Sequence, residues 1–197
     1  KIFKGNDGKP IAWMWYGIAK FEKQIPVVNE MRCIRLRKEN IQIGDESTIG
    51  YPKYFKEQRG NSYFIGEVFA VDNGLIPNAR RDYFNQNPAT KQFEKVLKPF
   101  FNSELYNLYH YASKVRSAQK TVSNFQKKEE EYKEKLNNAG FIDTEERETA
   151  QKELEEERAK SLKAQREIEN RRKDADENEV LNRVFNEIEK TYKHSDS

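Results

Sequence analysis

The sequence is poor in the residues that define several common classes of protein. It contains one cysteine, Cys33, so no disulfide bond can form within the chain. It has no run of about 20 apolar residues, the length that a helix needs to cross a bilayer, and no signal-peptide pattern. These absences argue against a disulfide-stabilised secreted domain and against a membrane protein. They favour a protein of the reducing cytoplasm.

Proline and glycine almost disappear after the first hundred residues. All six prolines and eight of the nine glycines lie in residues 1–100, and 19 of the 24 aromatic residues precede residue 112. The first hundred residues carry 17 Lys and Arg against 11 Asp and Glu, whereas the remainder carries 19 against 22. The sequence therefore predicts two unlike parts. These are a net-basic α+β domain over residues 1–102 and a charged helical tail over residues 103–197.

Hydrophobic patterning predicts the elements of the first part. Alternating apolar residues indicate half-buried strands, a continuous apolar run indicates a central strand, and asparagine before proline indicates the start of a helix. The predicted elements are a hairpin over residues 2–17, a strand pair over Cys33–Arg37 and Ile41–Ile43, a central strand over Tyr63–Val71, and a helix beginning at Asn87-Pro88.

The second part has the composition of exposed helix. Apolar residues step by four and three from Phe101 to Val122, and Asn137–Gly140 has the pattern of a helix stop. The thin apolar stripe over residues 145–173 predicts an antiparallel hairpin with the preceding helix; an intermolecular coiled coil, and hence a homodimer, is the alternative. A short amphipathic helix near residues 177–192 has an apolar face that needs a partner.

The segment between Tyr63 and Leu97 is the most informative part of the chain. A strand ending in Val71-Asp72 is followed by the loop Leu75-Ile76-Pro77-Asn78-Ala79-Arg80-Arg81-Asp82, and then by a helix. This order resembles the middle, or transducer, domain of the heat-shock-protein-90 family, in a bacterial branch of the ATPase group that includes gyrase and MutL. The resemblance covers about residues 1–105 and implies a mixed sheet with a βαβ unit; the helical tail lies outside it.

The resemblance implies that this chain is one part of an ATP-driven molecular chaperone. In such proteins a loop arginine reaches the γ-phosphate of ATP held in an N-terminal nucleotide-binding domain. Arg81 matches that arginine, Asp82 the acid after it and Asn78 the loop asparagine. Arg80 stands where the family has a small hydroxyl residue, so either arginine is a candidate sensor. Asn85 stands where the family has a glutamine that assists the arginine.

The chain itself lacks the sequence features of a nucleotide site. It has no glycine-rich phosphate loop. We therefore expect no cofactor in this chain and no ATP hydrolysis by it alone. ATP and Mg²⁺ are implied for the full-length protein, with the N-terminal nucleotide-binding domain and client proteins as partners. We expect no metal site either, because Cys33, His110 and His194 lie far apart in the sequence.

A second class of function rests on a basic strand, whose cations have tyrosines nearby. Such a surface could follow a nucleic-acid backbone while the tail mediates oligomerisation as a scaffold. We favour a solvated strand face or an interdomain ion-pair surface, because the net charge is only modest. At least one of Trp13 and Trp15 is expected in the core, and an exposed one indicates an interface. The cations are Arg32, Arg35, Arg37 and Lys38, and the neighbours are Tyr51, Tyr54 and Arg59.

Overall fold

The computed structural model describes residues 1–138 and 140–193. The chain divides into two compact units, Lys1–His110 and Tyr111–Ser197. The boundary that the sequence suggested, between residues 102 and 103, falls inside a π-helical segment of the first unit. Among the described helices, none combines the length and the apolar character that crossing a membrane requires.

The first unit is built on a five-stranded mixed sheet, which confirms the predicted α+β class. Its strands lie in the order β1-β2-β5-β3-β4. All neighbours pair antiparallel except β3 and β5, which pair parallel. The central position of β5 confirms the expectation from its apolar run. The strands are β1 (Ile2–Lys4), β2 (Pro10–Tyr16), β3 (Cys33–Lys38), β4 (Ile41–Ile43) and β5 (Ile65–Ala70).

The first hairpin forms where the glycine-rich turn predicts it. The Gly8 amide donates to the Gly5 carbonyl at 3.0 Å, and Gly8 has a φ of +77°, a conformation that glycine adopts without a steric penalty. Strands β1 and β2 then pair, with Ile2 opposite Trp13. The turn therefore sets the register of the sheet edge.

The expectation of a βαβ unit is wrong, because no α-helix connects the two parallel strands, β3 and β5. The connection from β3 to β5 contains β4 and a short 3-10 helix, Gly60–Tyr63, and no α-helix. The physical reason lies in its composition, since Gly44, Gly50 and Pro52 interrupt any helical stretch in this segment. Tyr63, which the sequence assigned to the central strand, ends the 3-10 helix instead.

Helical structure covers one face of the sheet. Helix α1 (Pro88–Pro99) begins as predicted, with the Asn87 side chain accepting from the Thr90 amide at 2.9 Å. Proline at position 99 does not end the helical region, and a π-helical segment, Phe100–Leu105, follows it directly. The core beneath these helices is largely aromatic and includes Phe3, Tyr54, Phe55, Phe64, Phe84, Phe93 and Phe101.

Within the first unit, whose residues are all described, no helix covers the opposite face of the sheet. Trp13 and Trp15 on β2 are 41% and 39% exposed, and Ile2 on β1 is 61% exposed. Because side chains alternate along a strand, the buried Ala12 and Met14 on either side of Trp13 occupy the core face. Both tryptophans therefore lie outside the core, contrary to the expectation that at least one would be buried.

The second unit is a helical hairpin with an additional helix. Helix α2 (Tyr106–Asn137) ends at the predicted stop signal, and α3 (Thr144–Asp176) begins with Asp143 as its N-cap. The Tyr111 hydroxyl donates to the Arg171 carbonyl at 2.6 Å, and Lys128 lies 3.5 Å from Glu157. These contacts run in opposite sequence order, so the two helices are antiparallel, as the predicted hairpin requires.

The amphipathic helix predicted near residues 177–192 is α4 (Glu179–Lys193). Its apolar side chains include Val184, Phe185 and Ile188, each of which is at most 1% exposed. Arg172 of α3 stacks over the Phe185 ring at 5.1 Å and donates to the Asn186 side chain at 2.8 Å. The partner that this apolar face needs is thus provided within the second unit.

Candidate functional site

The arginine-bearing loop is a narrow hairpin that leaves the sheet after β5. The Asn85 amide donates to the Ile76 carbonyl at 2.9 Å, and the Asn78 amide donates to the Tyr83 carbonyl at 2.8 Å. Phe84 at its base is buried against Phe93 of α1. The tip, residues 79–82, is therefore held at the surface by a paired and anchored stem.

Asn78 and Asp82 brace this tip from within. The Asn78 side-chain amide donates to the Asp82 carboxylate at 2.6 Å, and its oxygen accepts from the Asp82 main-chain amide at 3.2 Å. The Arg81 amide also donates to the Asn78 carbonyl at 2.9 Å. Asparagine and aspartate commonly make such local bonds in turns. The two residues assigned to a supporting role thus support the tip geometrically.

Arg81 has an unusual backbone conformation, with a φ of +55°. Its carbonyl accepts from the Gly44 amide at 2.7 Å, a bond that ties the tip to the residue after β4. A left-handed conformation is costly for a residue with a side chain and persists where the surroundings hold it. The sequence did not reveal this feature, because arginine carries no signal for a positive φ.

Arg80 and Arg81 are both exposed at the tip. In the part of the chain that the structure describes, neither side chain makes a hydrogen bond or an ion pair. The acidic side chains of Asp82 and Glu94 are engaged elsewhere: Asp82 accepts from Asn78, and Glu94 pairs with Lys53 at 2.7 Å. Two guanidinium groups are therefore available to an anion from outside.

A groove of about 350 Å³ lies beside the tip. Arg81 and Asn78 line one part of it, and Lys38 at the end of β3 lines another. The Lys38 ammonium donates to the Asp72 main-chain carbonyl at 2.9 Å, and it forms no ion pair with a carboxylate of the described residues. The structure thus brings together one residue assigned to the phosphate contact, one assigned to a supporting role and one assigned to the basic strand. The remaining wall consists of Glu39, Asn73 and a set of aliphatic side chains, namely Ile41, Ile43, Leu75, Ile76 and Pro77.

Asn85 takes no visible part in holding either arginine. Its side chain is exposed, and its carbonyl accepts from the Thr90 hydroxyl at 2.7 Å, which fixes the start of α1. Its assistance to the arginine remains a prediction from the resemblance.

The basic strand does not form one continuous surface. Alternation places Arg35 and Arg37 on the uncovered face of the sheet, whereas Lys38 lies beside the groove. Arg37 pairs with Glu67, and Arg32 lies 2.7 Å from Glu46. These two arginines are thus ion-paired within the first unit, whereas the interpretation favoured from the sequence was a solvated face or an interdomain ion-pair surface.

The tyrosines expected to border the basic strand are divided as well. Tyr54 is buried, whereas Tyr51 is 53% exposed. A backbone track along Arg32, Arg35, Arg37 and Lys38 is therefore not what the fold presents.

A partly buried polar cluster beneath the loop could not be predicted from the sequence. The Tyr54 and Tyr83 hydroxyls lie 2.6 Å apart, and the Lys53 ammonium lies 3.2 Å above the Tyr83 ring. Burial opposes ionisation of Glu94, but hydrogen bonds from Lys53 and Lys98 hold the pKa of Glu94 below its usual range. These residues come from separate segments, so no spacing signal marks them.

The remaining reactive groups are engaged or shielded. Burial raises the pKa of the Cys33 thiol to about 11, so little reactive thiolate exists at neutral pH. His110 lies 3.0 Å from Glu57, a partner that the sequence did not reveal. Among residues 1–138 and 140–193, no group of three or more His, Cys, Asp or Glu is placed to hold a metal ion. His194 lies outside the described residues.

Comparison with known proteins adds no relative. No protein-family model, no curated protein and no solved structure matches the chain.

Proposed function

We propose that this chain is the middle segment of an ATP-driven, chaperone-like machine and that it supplies Arg81 to the γ-phosphate of ATP bound in another domain. The proposal combines the resemblance of the loop to the heat-shock-protein-90 family with one structural observation. That observation is the tip itself, where two unpaired arginines stand exposed on a braced hairpin. The specific transducer fold is part of the same proposal.

The chemistry suits a group that is delivered by domain movement. A guanidinium stays charged at all physiological pH values and offers a planar fork of donors that matches phosphate oxygens. Phosphoryl transfer is catalysed mainly by positioning and by stabilising negative charge. A residue that acts late must keep its geometry before its ligand arrives. The Asn78–Asp82 brace and the Gly44–Arg81 bond provide that pre-organisation.

ATP and Mg²⁺ would be held by the nucleotide-binding domain. The described residues of this chain offer the guanidinium of Arg81 and, across the groove, the ammonium of Lys38. Client proteins, a tail-mediated homodimer and a cytoplasmic location belong to the same proposal.

The test uses the polypeptide that carries both this segment and its nucleotide-binding domain. We expect Arg81→Ala to lower kcat for ATP hydrolysis by about 10³-fold with little change in ATP affinity, because the contact forms only in the closed, reacting state. Arg80→Ala is the matched variant at the neighbouring position, and the larger loss identifies the sensor. Lys91→Ala, an exposed cation on α1, is the control for a general loss of charge.

Two results would overturn the proposal. One is a full-length polypeptide that does not bind ATP. The other is an unchanged kcat in both arginine variants, with folding verified by circular dichroism. A parallel loss of ATP affinity and kcat would instead place the arginine in ground-state binding.

A further inference from the structure

The uncovered face of the sheet carries a compact row of aromatic rings. Strand β2 contributes Trp13 and Trp15, and β5 contributes Phe69 directly opposite Trp13. These strands are neighbours in the interior of the sheet, so their main-chain groups already bond to each other. What the face offers to a ligand is therefore side chains: flat rings, with cations beside them.

The rings are held in a fixed orientation. Trp13 and Phe69 stack with centroids 4.1 Å apart and planes inclined by only 5°. The Trp15 indole donates to the Glu67 carboxylate at 3.2 Å. Trp13 nevertheless stays 41% exposed and Trp15 39% exposed. An ordered but accessible ring loses little conformational entropy when a ligand stacks on it.

Positive charge borders the rings on the β3 side. Arg35 lies opposite Glu67 and Arg37 lies opposite Phe69. Glu67 is engaged by Arg37 and by Trp15, so its charge is compensated within the face. Among the described residues, Arg35 donates to two acceptors, and both are neutral: the Gln42 side chain at 3.5 Å and the Glu30 carbonyl. The Arg35 guanidinium thus keeps its net charge beside the aromatic row.

We propose that this face binds single-stranded nucleic acid, with bases stacked on Trp13 and Trp15 and a phosphate at Arg35. Aromatic rings on the open face of a sheet, flanked by cations, suit unstacked bases, since every base has a π-face. The net positive charge of the first unit also favours a polyanionic ligand, since residues 1–110 contain 17 Lys and Arg against 12 Asp and Glu. An extended polypeptide would instead add to a sheet edge, where main-chain groups are free.

The proposal is independent of the arginine loop, since none of its residues belongs to the tip or the groove. It also sets the character of the binding. With one or two cations facing the ligand, few phosphates are neutralised. The logarithm of the association constant should fall with the logarithm of salt concentration with a slope between about −0.7 and −1.4. Affinity should depend chiefly on ring stacking.

The chain provides its own probe, because Trp13 and Trp15 are its only tryptophans. We would titrate the 197-residue chain with fluorescein-labelled single-stranded dT and rU oligonucleotides at low salt, following anisotropy of the label and quenching of tryptophan emission. We expect saturable binding with quenching, and weaker binding of the matching duplex, whose bases are already stacked.

Variants separate stacking from charge. Trp13→Ala should weaken binding at least about fivefold, whereas Trp13→Phe, which keeps a ring, should retain most of it. Arg35→Gln should weaken binding and flatten the salt slope, and Lys91→Gln should do neither. No binding at low salt would overturn the proposal, as would binding unchanged in both Trp13→Ala and Arg35→Gln. Quenching by an apolar peptide without any by oligonucleotides would assign the face to a protein partner instead.

Discussion

Gly44 shows how a single residue sets the position of the arginine loop. Its φ is +65°, and a Cβ atom there would lie 2.0 Å from the Thr48 hydroxyl oxygen and 2.6 Å from the Asp82 carbonyl oxygen. The Asp82 oxygen belongs to the main chain, so it can yield only if the tip moves. Hydrogen bonds from Ser47 hold the pKa of Asp45 below its usual range, which indicates a well-ordered turn at this place.

We therefore expect Gly44→Ala to destabilise the protein more than an ordinary substitution of a left-handed glycine. Gly8→Ala is the matched control, because Gly8 has a φ of +77° and nothing lies within 4 Å of a Cβ there. The control should cost about 1–2 kcal/mol from conformation alone. Gly44→Ala should cost at least about 1 kcal/mol more from overpacking. Urea denaturation measures both, and equal losses would show that the tip does not rest on Gly44.

At this scale the sequence predicted residue identities better than their geometry. It singled out Arg80, Arg81, Asn78 and Asp82 as one loop, and the structure places them together. It did not predict the left-handed backbone of Arg81 or the approach of Gly44, because both follow from a contact between segments 37 residues apart in numbering (44 and 81). Local propensity carries no information about such a contact.

Among the elements, β3 depends on a side chain that replaces a missing strand. Strand β4 pairs with β3 only from Leu36 onward. At Ile34, the buried Asn61 takes over: its oxygen accepts from the Ile34 amide at 2.9 Å, and its nitrogen donates to the Ile34 carbonyl at 3.2 Å and to the Glu46 carbonyl at 3.1 Å. Buried main-chain groups need partners of this kind.

Replacing Asn61 with alanine should therefore cost at least about 2 kcal/mol, since several buried polar groups lose their partners at once. Asn73→Ala, at an exposed asparagine, should change stability by no more than about 0.5 kcal/mol. Chemical denaturation gives both values. A loss at Asn61 as small as that at Asn73 would mean that water replaces the side chain without cost.

Helix α1 is linked to the polar cluster through Glu94, which gives its stability a pH dependence. The folded-state pKa of Glu94 is lowered, so its contribution is fully present above the unfolded pKa of about 4.3. It is lost as pH falls through the lower folded value. Glu94→Gln should thus destabilise the protein at pH 7, and the difference from wild type should shrink at pH 3.

The matched control for this pair of measurements is Glu22→Gln, because Glu22 is exposed and pairs with Lys20 on the surface. Exposed pairs contribute little, so its effect should be small at both pH values. A Glu94→Gln effect that stays constant from pH 7 to pH 3 would show that lost packing, rather than lost charge, is responsible.

Element types followed from the sequence wherever a local rule decided them. The Gly5–Gly8 turn and the helix start at Asn87 both act as predicted. The expected link between β3 and β5 was wrong because the resemblance implied a helix where Gly44, Gly50 and Pro52 interrupt any helical stretch. The parallel pairing itself is decided by tertiary packing. The same limit applies to the tryptophans, whose large apolar rings predict burial although the fold leaves one sheet face open.

For the molecule as a whole, composition separates two kinds of stability. The first unit has a core of large aromatic rings, whereas the buried set of the second unit contains several alanines, such as Ala118, Ala164 and Ala175. Smaller buried side chains remove less apolar surface from water and stabilise less. The helices of the second unit carry many exposed ion pairs, which add little. We expect the second unit to unfold at a lower urea concentration than the first.

Two optical probes distinguish the units, since both tryptophans belong to the first and most of the long helices belong to the second. The transition measured by tryptophan emission should therefore lie at a higher urea concentration than the transition measured by circular dichroism at 222 nm. Phe185→Ala removes a ring that is 1% exposed in α4, at a cost of about 3–5 kcal/mol. It should move the dichroism transition and leave the fluorescence transition in place. Coincident curves in the wild type, or a matched shift of both in the variant, would show that the two units unfold as one cooperative body.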